Sequence, residues 1–155
     1  MVNSKHSNIA ENRKARHDYE IIKTFEAGLS LLGWEVKSMR AHRVQLKESY
    51  AICRKNEIWL LNSHFSPLST TSTHVETDPY RTRKTLLKRK EINELLGAVQ
   101  RKGLSIVPLS LYWKGPYAKL KLALCRGKKA HDKRAALAER DWKRNQERIR
   151  KDAHR

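Results

Sequence analysis

The chain has 155 residues, 34 of them Lys or Arg against 16 acids, for a formal charge of +18. Hydrophobic residues make up 39% and charged residues 32%, enough apolar material for one core and too little chain for a large multi-domain enzyme. A charge of that size concerns partners rather than fold: it favours a polyanion, nucleic acid ahead of an anionic membrane, and two cysteines exclude a framework of several disulfides.

Residues 1–12 carry no periodic pattern and are expected to form a flexible end. From Asp18 to Thr24 the aromatic and β-branched residues Tyr19, Ile21 and Ile22 predict a strand. Glu26 to Leu32 reads as a short helix closed by Gly33, and Trp34 to Ser38 as a strand. Tyr50–Arg54 and Glu57–Leu61 flank Lys55-Asn56 as a two-residue hairpin. Asp78-Pro79 begins a turn into a short basic helix through Lys84. Ile92, Leu95, Leu96 and Val99 form an apolar stripe that predicts a helix from about Lys90 to Lys102, ended by Gly103. Val107, Leu109, Leu111 and Trp113 alternate with other residues, as do Ala118, Leu120, Leu122 and Leu124 with Lys119 and Lys121; this is a hairpin turning at Lys114-Gly115-Pro116. The whole reads as mainly β, a small antiparallel barrel decorated by short helices over residues 13–126.

Residues 127–155 differ in kind. Residues 126–155 hold 12 basic and 5 acidic side chains, with few large apolar ones. They read as a basic tail, disordered when free and helical against a partner. Ala138, Trp142 and Ile149 fall on one helical stripe for that partner. No apolar run reaches membrane-spanning length, and no apolar segment follows the start, so a cytoplasmic protein without membrane contact is expected.

No GxSxG, GxxxxGK[ST], GxGxxG or HExxH occurs. His17-Asp18 and His131-Asp132 are the pairs a nuclease would use. In a strand, neighbouring side chains point to opposite faces, which argues against the first. His64, His74 and Asp78 are spaced too widely for an ordinary metal site. No catalytic residue, metal or cofactor is therefore expected. Three basic clusters carry the stronger signal: Arg13 to Tyr19, Arg81 to Lys90 and Arg126 to Arg134. Arg and Lys contact phosphates, while His17 and Tyr19 can stack on unpaired bases.

Five blocks give these clusters a context. They are Asn12 to Tyr19, Phe25 to Leu29, Gly33 to Arg40, Asp78 to Lys84 and Gly127 to Arg134. Together they resemble SmpB, the SsrA-binding protein family, along almost the whole chain. The resemblance implies an oligonucleotide-binding-type barrel, and an adaptor rather than an enzyme. Such an adaptor binds the tRNA-like domain of transfer-messenger RNA and delivers it to stalled ribosomes for trans-translation.

The RNA contacts it implies are Arg13, Lys14, Arg16, His17, Tyr19, Glu26, Lys37, Arg40, Arg81, Arg83, Lys84, Leu86 and Lys88. Lys88 stands where many relatives carry Asn. Glu26 either accepts a hydrogen bond from a base or ribose, or forms a salt bridge within the basic patch. The implied contacts to ribosomal RNA are Gly127, Lys128, Lys129, His131, Asp132, Lys133 and Arg134 near the decoding centre. In the empty messenger path they are Trp142, Lys143, Arg148, Ile149 and Lys151. Implied partners are transfer-messenger RNA, the 70S ribosome, and elongation factor Tu with the aminoacylated RNA. The competing readings are a constitutive ribosomal protein or assembly factor, a basic nuclease, and a nonspecific single-strand binder.

Overall fold

The structure is a computed structural model and describes residues 7–71, 74–127 and 131–153. Its frame is the late hairpin, β8 (Ser105–Lys114) and β9 (Tyr117–Gly127), turning at Gly115 with φ of 59°. That positive φ costs glycine least, since it has no Cβ. β9 pairs along its length with β2 (Tyr19–Leu29), and β2 pairs with β7 (Arg83–Leu86). β7 pairs with β5 (Glu57–Leu61), β5 with β4 (Tyr50–Arg54), and β4 returns to β8 at Ala51–Ile106. Six antiparallel strands thus close a ring, which leaves no long edge to aggregate.

The ring is filled by Phe25, Ala27, Leu29, Ile58, Leu60, Ile106, Leu111, Leu120, Leu122 and Leu124, all buried. Helix α2 (Gly33–Arg40) adds Trp34 and Met39 to this core, and α3 (Arg89–Lys102) adds Ile92, Leu95 and Ala98. Gly103 ends α3 in the left-handed conformation, as its position predicts. The hairpin β4–β5 turns at Lys55 and Asn56, both at positive φ, the requirement of a tight turn matched to strand twist. A small pair, β3 (Val44–Gln45) with β6 (His64–Phe65), lies apart from the ring.

Four local expectations are corrected. Residues 7–11 do not form a loose end: β1 (Ser7–Glu11) pairs with β8 on the edge that β4 leaves uncovered, and Ile9 is buried. Glu26 to Leu29 is not helical but continues β2, because Phe25, Ala27 and Leu29 alternate into the core. Trp34 to Ser38 is not a strand but lies in α2, with Trp34, Glu35, Ser38 and Met39 buried at helical spacing. Arg81 to Lys84 starts no helix. After the turn, in which Asp78 accepts from the Tyr80 N–H, the chain enters β7 with Arg83 and Thr85 facing inward.

The tail carries a helix in this structure. Helix α4 (His131–Ala153) lies against β5, with Ala138 buried beside Tyr50 and Leu61. Trp142 meets Trp59 edge-on at 5.6 Å. A lone helix of this composition is marginal in water, and these contacts supply what its own sequence lacks. Ile149, expected on the same stripe, is 64% exposed. No helix among the described residues is long and apolar enough to cross a membrane.

Candidate nucleic-acid interface

The first basic cluster forms a short helix, α1 (Arg13–Asp18), fixed to the barrel at both ends. Asn12 precedes it and is buried. Its Oδ1 accepts from the Ala15 N–H at 3.3 Å, its Nδ2 donates to the Pro108 carbonyl at 2.9 Å, and its backbone N–H donates to Leu109 at 2.8 Å. Ala15 packs into a second small core with Val107, Leu109, Ala123 and Cys125 on the outside of β8 and β9. Burial pushes the Cys125 thiol up to about 12, which keeps it neutral in this apolar seat. α1 therefore acts as a peg whose buried side leaves Arg13, Lys14, Arg16 and His17 exposed. Lys14 pairs with Glu48 at 2.8 Å. His17 is 90% exposed, and its Nδ1 lies 3.2 Å from Asp18 Oδ1. The adjacent pair thus does meet, because a helix end and not a strand holds it, yet solvent surrounds the imidazole.

Asn12→Ala is expected to cost about 1–2 kcal/mol, since it removes a cap and leaves a buried carbonyl unpaired. Urea unfolding measures that loss. RNA binding should weaken with it although no charge changes, because the peg loses its fixed direction. Stability within about 0.3 kcal/mol of the parent, inside the surface-substitution range, would show that Ala15 packing alone holds α1.

From α1 the outer face of β2, β9 and β8 continues as a polar strip. Glu26 is opposite Lys121, Gly28 opposite Lys119, and Tyr112 opposite Lys119 on the other edge. Both oxygens of Glu26 are engaged. Tyr112 donates to Oε2 at 2.5 Å and Lys114 to Oε1 at 3.0 Å. The Tyr112 hydrogen bond, against a burial effect in the other direction, holds the carboxyl below its usual value, helped by Lys114 and Lys119. Of the two roles open to Glu26, the salt bridge within the patch is formed. Each oxygen keeps a second lone pair for an RNA hydroxyl or amino group.

Gly28 joins this strip to the next contact. A Cβ there would stand 3.2 Å from Leu86 Cβ, so glycine is what lets Leu86 lie across β2. Leu86 is 52% exposed and Tyr117 67% exposed. They flank a cleft of about 340 Å³ whose wall includes Arg40, Trp113 and Lys119. The Arg40 guanidinium lies 5.8 Å from the Trp113 ring. Lys37 is exposed on the same short helix, and exposed Lys88 begins α3 with its N–H on Glu91. Such an apolar floor with cations at its rim suits a splayed base and its phosphate. Sequence alone places Lys119 and Lys121 only on the solvent face of a strand and Lys114 only in a turn, and passes over Tyr112. Their link to Glu26 depends on the β2–β9–β8 register.

The second basic cluster divides. Arg83 is fully buried and cannot reach a ligand, which corrects its expected role. Its Nε donates to Glu35 at 2.5 Å, its other nitrogens to Ser63, Arg81 and Pro79, and its guanidinium lies 4.0 Å from the Phe65 ring. Arg81 grips the same Glu35 through two nitrogens, at 2.6 and 3.1 Å. Glu35 also accepts from the Leu32 N–H at 2.7 Å. Burial alone would raise this carboxyl, but Arg81, Arg83 and the Leu32 N–H outweigh it and the pKa is lowered. Lys84 is half-buried and reaches Glu57 at 3.9 Å.

At the other end of the expected site, Gly127 is opposite Tyr19 where β9 ends. Lys128 and Lys129 lie outside the described residues, as do the side chains of His131, Asp132, Lys133, Arg134 and Lys151. Lys143 is exposed on α4, and Arg148 pairs with Asp78 at 3.1 Å. Among the described residues no group of three or more His, Cys, Asp or Glu is placed to hold a metal.

A family model described as SmpB protein matches residues 9–152. The chain belongs to the SmpB family. An SsrA-binding protein of Chromohalobacter salexigens is 57% identical over 143 residues, which cover 92% of this chain and 91% of that protein. A solved structure described as "tmRNA-SmpB: a journey to the center of the bacterial ribosome" contains a chain 48% identical to this one. The superposition has a TM-score of 0.64 and covers 79% of this chain and 86% of that one. The SmpB match takes in both the barrel and nearly all of α4, so peg, strip and tail belong to one family unit.

Proposed function

We propose that this protein is an RNA-binding adaptor. Its barrel binds the tRNA-like domain of transfer-messenger RNA and carries it to stalled ribosomes, where the tail probes the empty messenger path. The observation that carries this reading is the unbroken face from α1 through Glu26 and Tyr112 to Leu86 and Arg40. The helix that carries its first cations is anchored by buried Asn12 and Ala15, a surface suited to a folded RNA more than to any flexible polyanion. The SsrA-binding relative and the solved tmRNA-SmpB assembly support the same assignment.

Within it, Arg13, Lys14, Arg16, Lys37, Arg40, Lys84 and Lys88 take phosphates, His17 and Tyr19 stack, and Leu86 supports an unpaired base. Lys114, Lys119 and Lys121 join them around Glu26. The basic segment 127–134 meets ribosomal RNA, and His131 stacks there. The bound RNA, once aminoacylated, arrives with elongation factor Tu.

Sequencing the RNA that copurifies with the protein after a moderate salt wash tests this. One transfer-messenger RNA should dominate over ordinary tRNA and ribosomal RNA. Ribosomal RNA alone, at one copy of protein per small subunit, would instead make this a ribosomal or assembly protein.

A further inference from the structure

An acid opposite a lysine on the outer face of a sheet is placed to pair with it, because cross-strand neighbours of opposite charge attract at short range. Glu26 on β2 is opposite Lys121 on β9. Their pairing would weaken the strip twice, by occupying its acid and by cancelling a cation. The structure holds another arrangement. Glu26 reaches diagonally over β9 to β8, where the Tyr112 hydroxyl donates to Oε2 at 2.5 Å and Lys114 Nζ donates to Oε1 at 3.0 Å. The ion pair of Glu26 is thus with Lys114. Among the described residues Lys119 and Lys121 form none.

The two donors are unequal. Lys114 ends β8 beside the turn, and its side chain is 55% exposed. Tyr112 is 6% exposed and lies inside the sheet, opposite Asn8 of β1 on one edge and Lys119 of β9 on the other. A buried phenol turns about few bonds and keeps its oxygen in place, whereas a lysine moves on a flexible stem. The tyrosine hydrogen bond is also the largest influence on the Glu26 carboxyl, ahead of burial, which opposes it, and of Lys114.

We propose that Tyr112 is a positioning residue for RNA recognition. Its hydroxyl holds Glu26 away from the lysines of β9. The carboxylate then keeps its remaining lone pairs for a hydroxyl or amino donor of the RNA, and Lys119 and Lys121 keep their charge for phosphates. This rests on the reading of the strip as the face that binds the tRNA-like domain. Without the hydroxyl, only the mobile Lys114 holds Glu26, and the acid is drawn to Lys121 directly opposite. The RNA then meets one acceptor fewer and one neutralised cation.

Tyr112→Phe keeps the ring and removes only the donor. Filter binding of the full chain to a transcript of the tRNA-like domain, over a series of potassium chloride concentrations, reads the effect. Affinity should fall about tenfold, since the bond lost is one to a charged group. The slope of log K against log salt should lessen by about one, as one phosphate contact goes. A merely structural role would leave that slope alone. Glu26→Ala provides a second background. With no carboxylate to hold, adding Tyr112→Phe there should change binding by less than about twofold.

Unchanged affinity of Tyr112→Phe, or an equal loss in both backgrounds, would overturn the proposal; the latter would mean that the tyrosine supports the sheet and not the carboxylate. A loss that keeps the parent's salt slope would overturn the part given to Lys119 and Lys121. If the parent bound the transcript no better than an ordinary tRNA, the reading of the face itself would fail, whatever Tyr112 showed.

Discussion

Replacing Glu35 by Ala should destabilise the barrel by about 3–5 kcal/mol, the cost of leaving a buried charge without its partner. For a chain of this size that is a fall of roughly 10 °C in Tm. Glu35 fastens the start of α2, through the Leu32 N–H, to Arg81 and to Arg83 on β7. Arg83 has its pKa pushed down to about 10, by burial first and against the opposing pull of Glu35. Without Glu35 the guanidinium keeps its backbone acceptors and loses its counter-charge. Because the folded pKa of Glu35 is lowered, its stabilising contribution is present above the ordinary value of 4.5. It is lost as pH falls below that value and through the folded pKa. Glu35→Gln should therefore flatten the acid limb of a stability–pH curve measured by thermal unfolding. A Glu35→Ala protein within about 1 kcal/mol of the parent, the range of exposed pairs, would show that the network is dispensable.

Deleting Lys133 to Arg155 should leave transfer-messenger RNA binding nearly unchanged and abolish peptide tagging. The deletion removes nothing from the α1–Glu26–Leu86 face. It uncovers Tyr50, Ile52 and Trp59 on the opposite side, so Tm is measured alongside. Replacing Glu26 or Tyr19 should do the reverse and weaken RNA binding first. Binding of the truncated protein that is tenfold weaker, about 1.4 kcal/mol, would overturn this division of labour.

β9 and α3 were legible because their core positions are apolar, so period two or period 3.6 stands out in the sequence; in β8 the expected stripe is split at the shift between Pro108 and Ser110, which leaves Val107 and Leu109 in the outer cluster and Leu111 in the ring. Where the inward residues are polar, the period is hidden. β7 buries Arg83 and Thr85, with Thr85 Oγ1 donating to the Ile58 carbonyl. The helix α2 buries Glu35 and Ser38, and Ser38 donates to Trp34 and Ser66. No hydropathy pattern marks such positions; several of their partners, Ser66 for Ser38, Glu35 and Ser63 for Arg83 and Ile58 for Thr85, lie 20 to 48 residues away. Glu26 to Leu32 misled for a different reason. Its composition suits a helix locally, and pairing with β9 overrides that preference. Of the site, the basic blocks and the resemblance gave most residues. Arg83 showed that a charge in a basic cluster can belong to the core. The Lys114–Tyr112 support of Glu26 waited on strand register.

The pairing of β1 and β2 with β8 and β9 also governs when the protein can first act. Synthesis emits the peg, the first strand and Glu26 early, yet each is held by partners about 90 to 100 residues later: Asn12 by Pro108, Glu26 by Tyr112, Ala10 by Leu111. Contacts of such sequence separation form late and slowly. The nascent N-terminal third therefore has no preformed RNA face on the ribosome that makes it. A fragment ending before Ser105 should be an unfolded basic chain, with the closing hairpin as the step that turns charge into recognition.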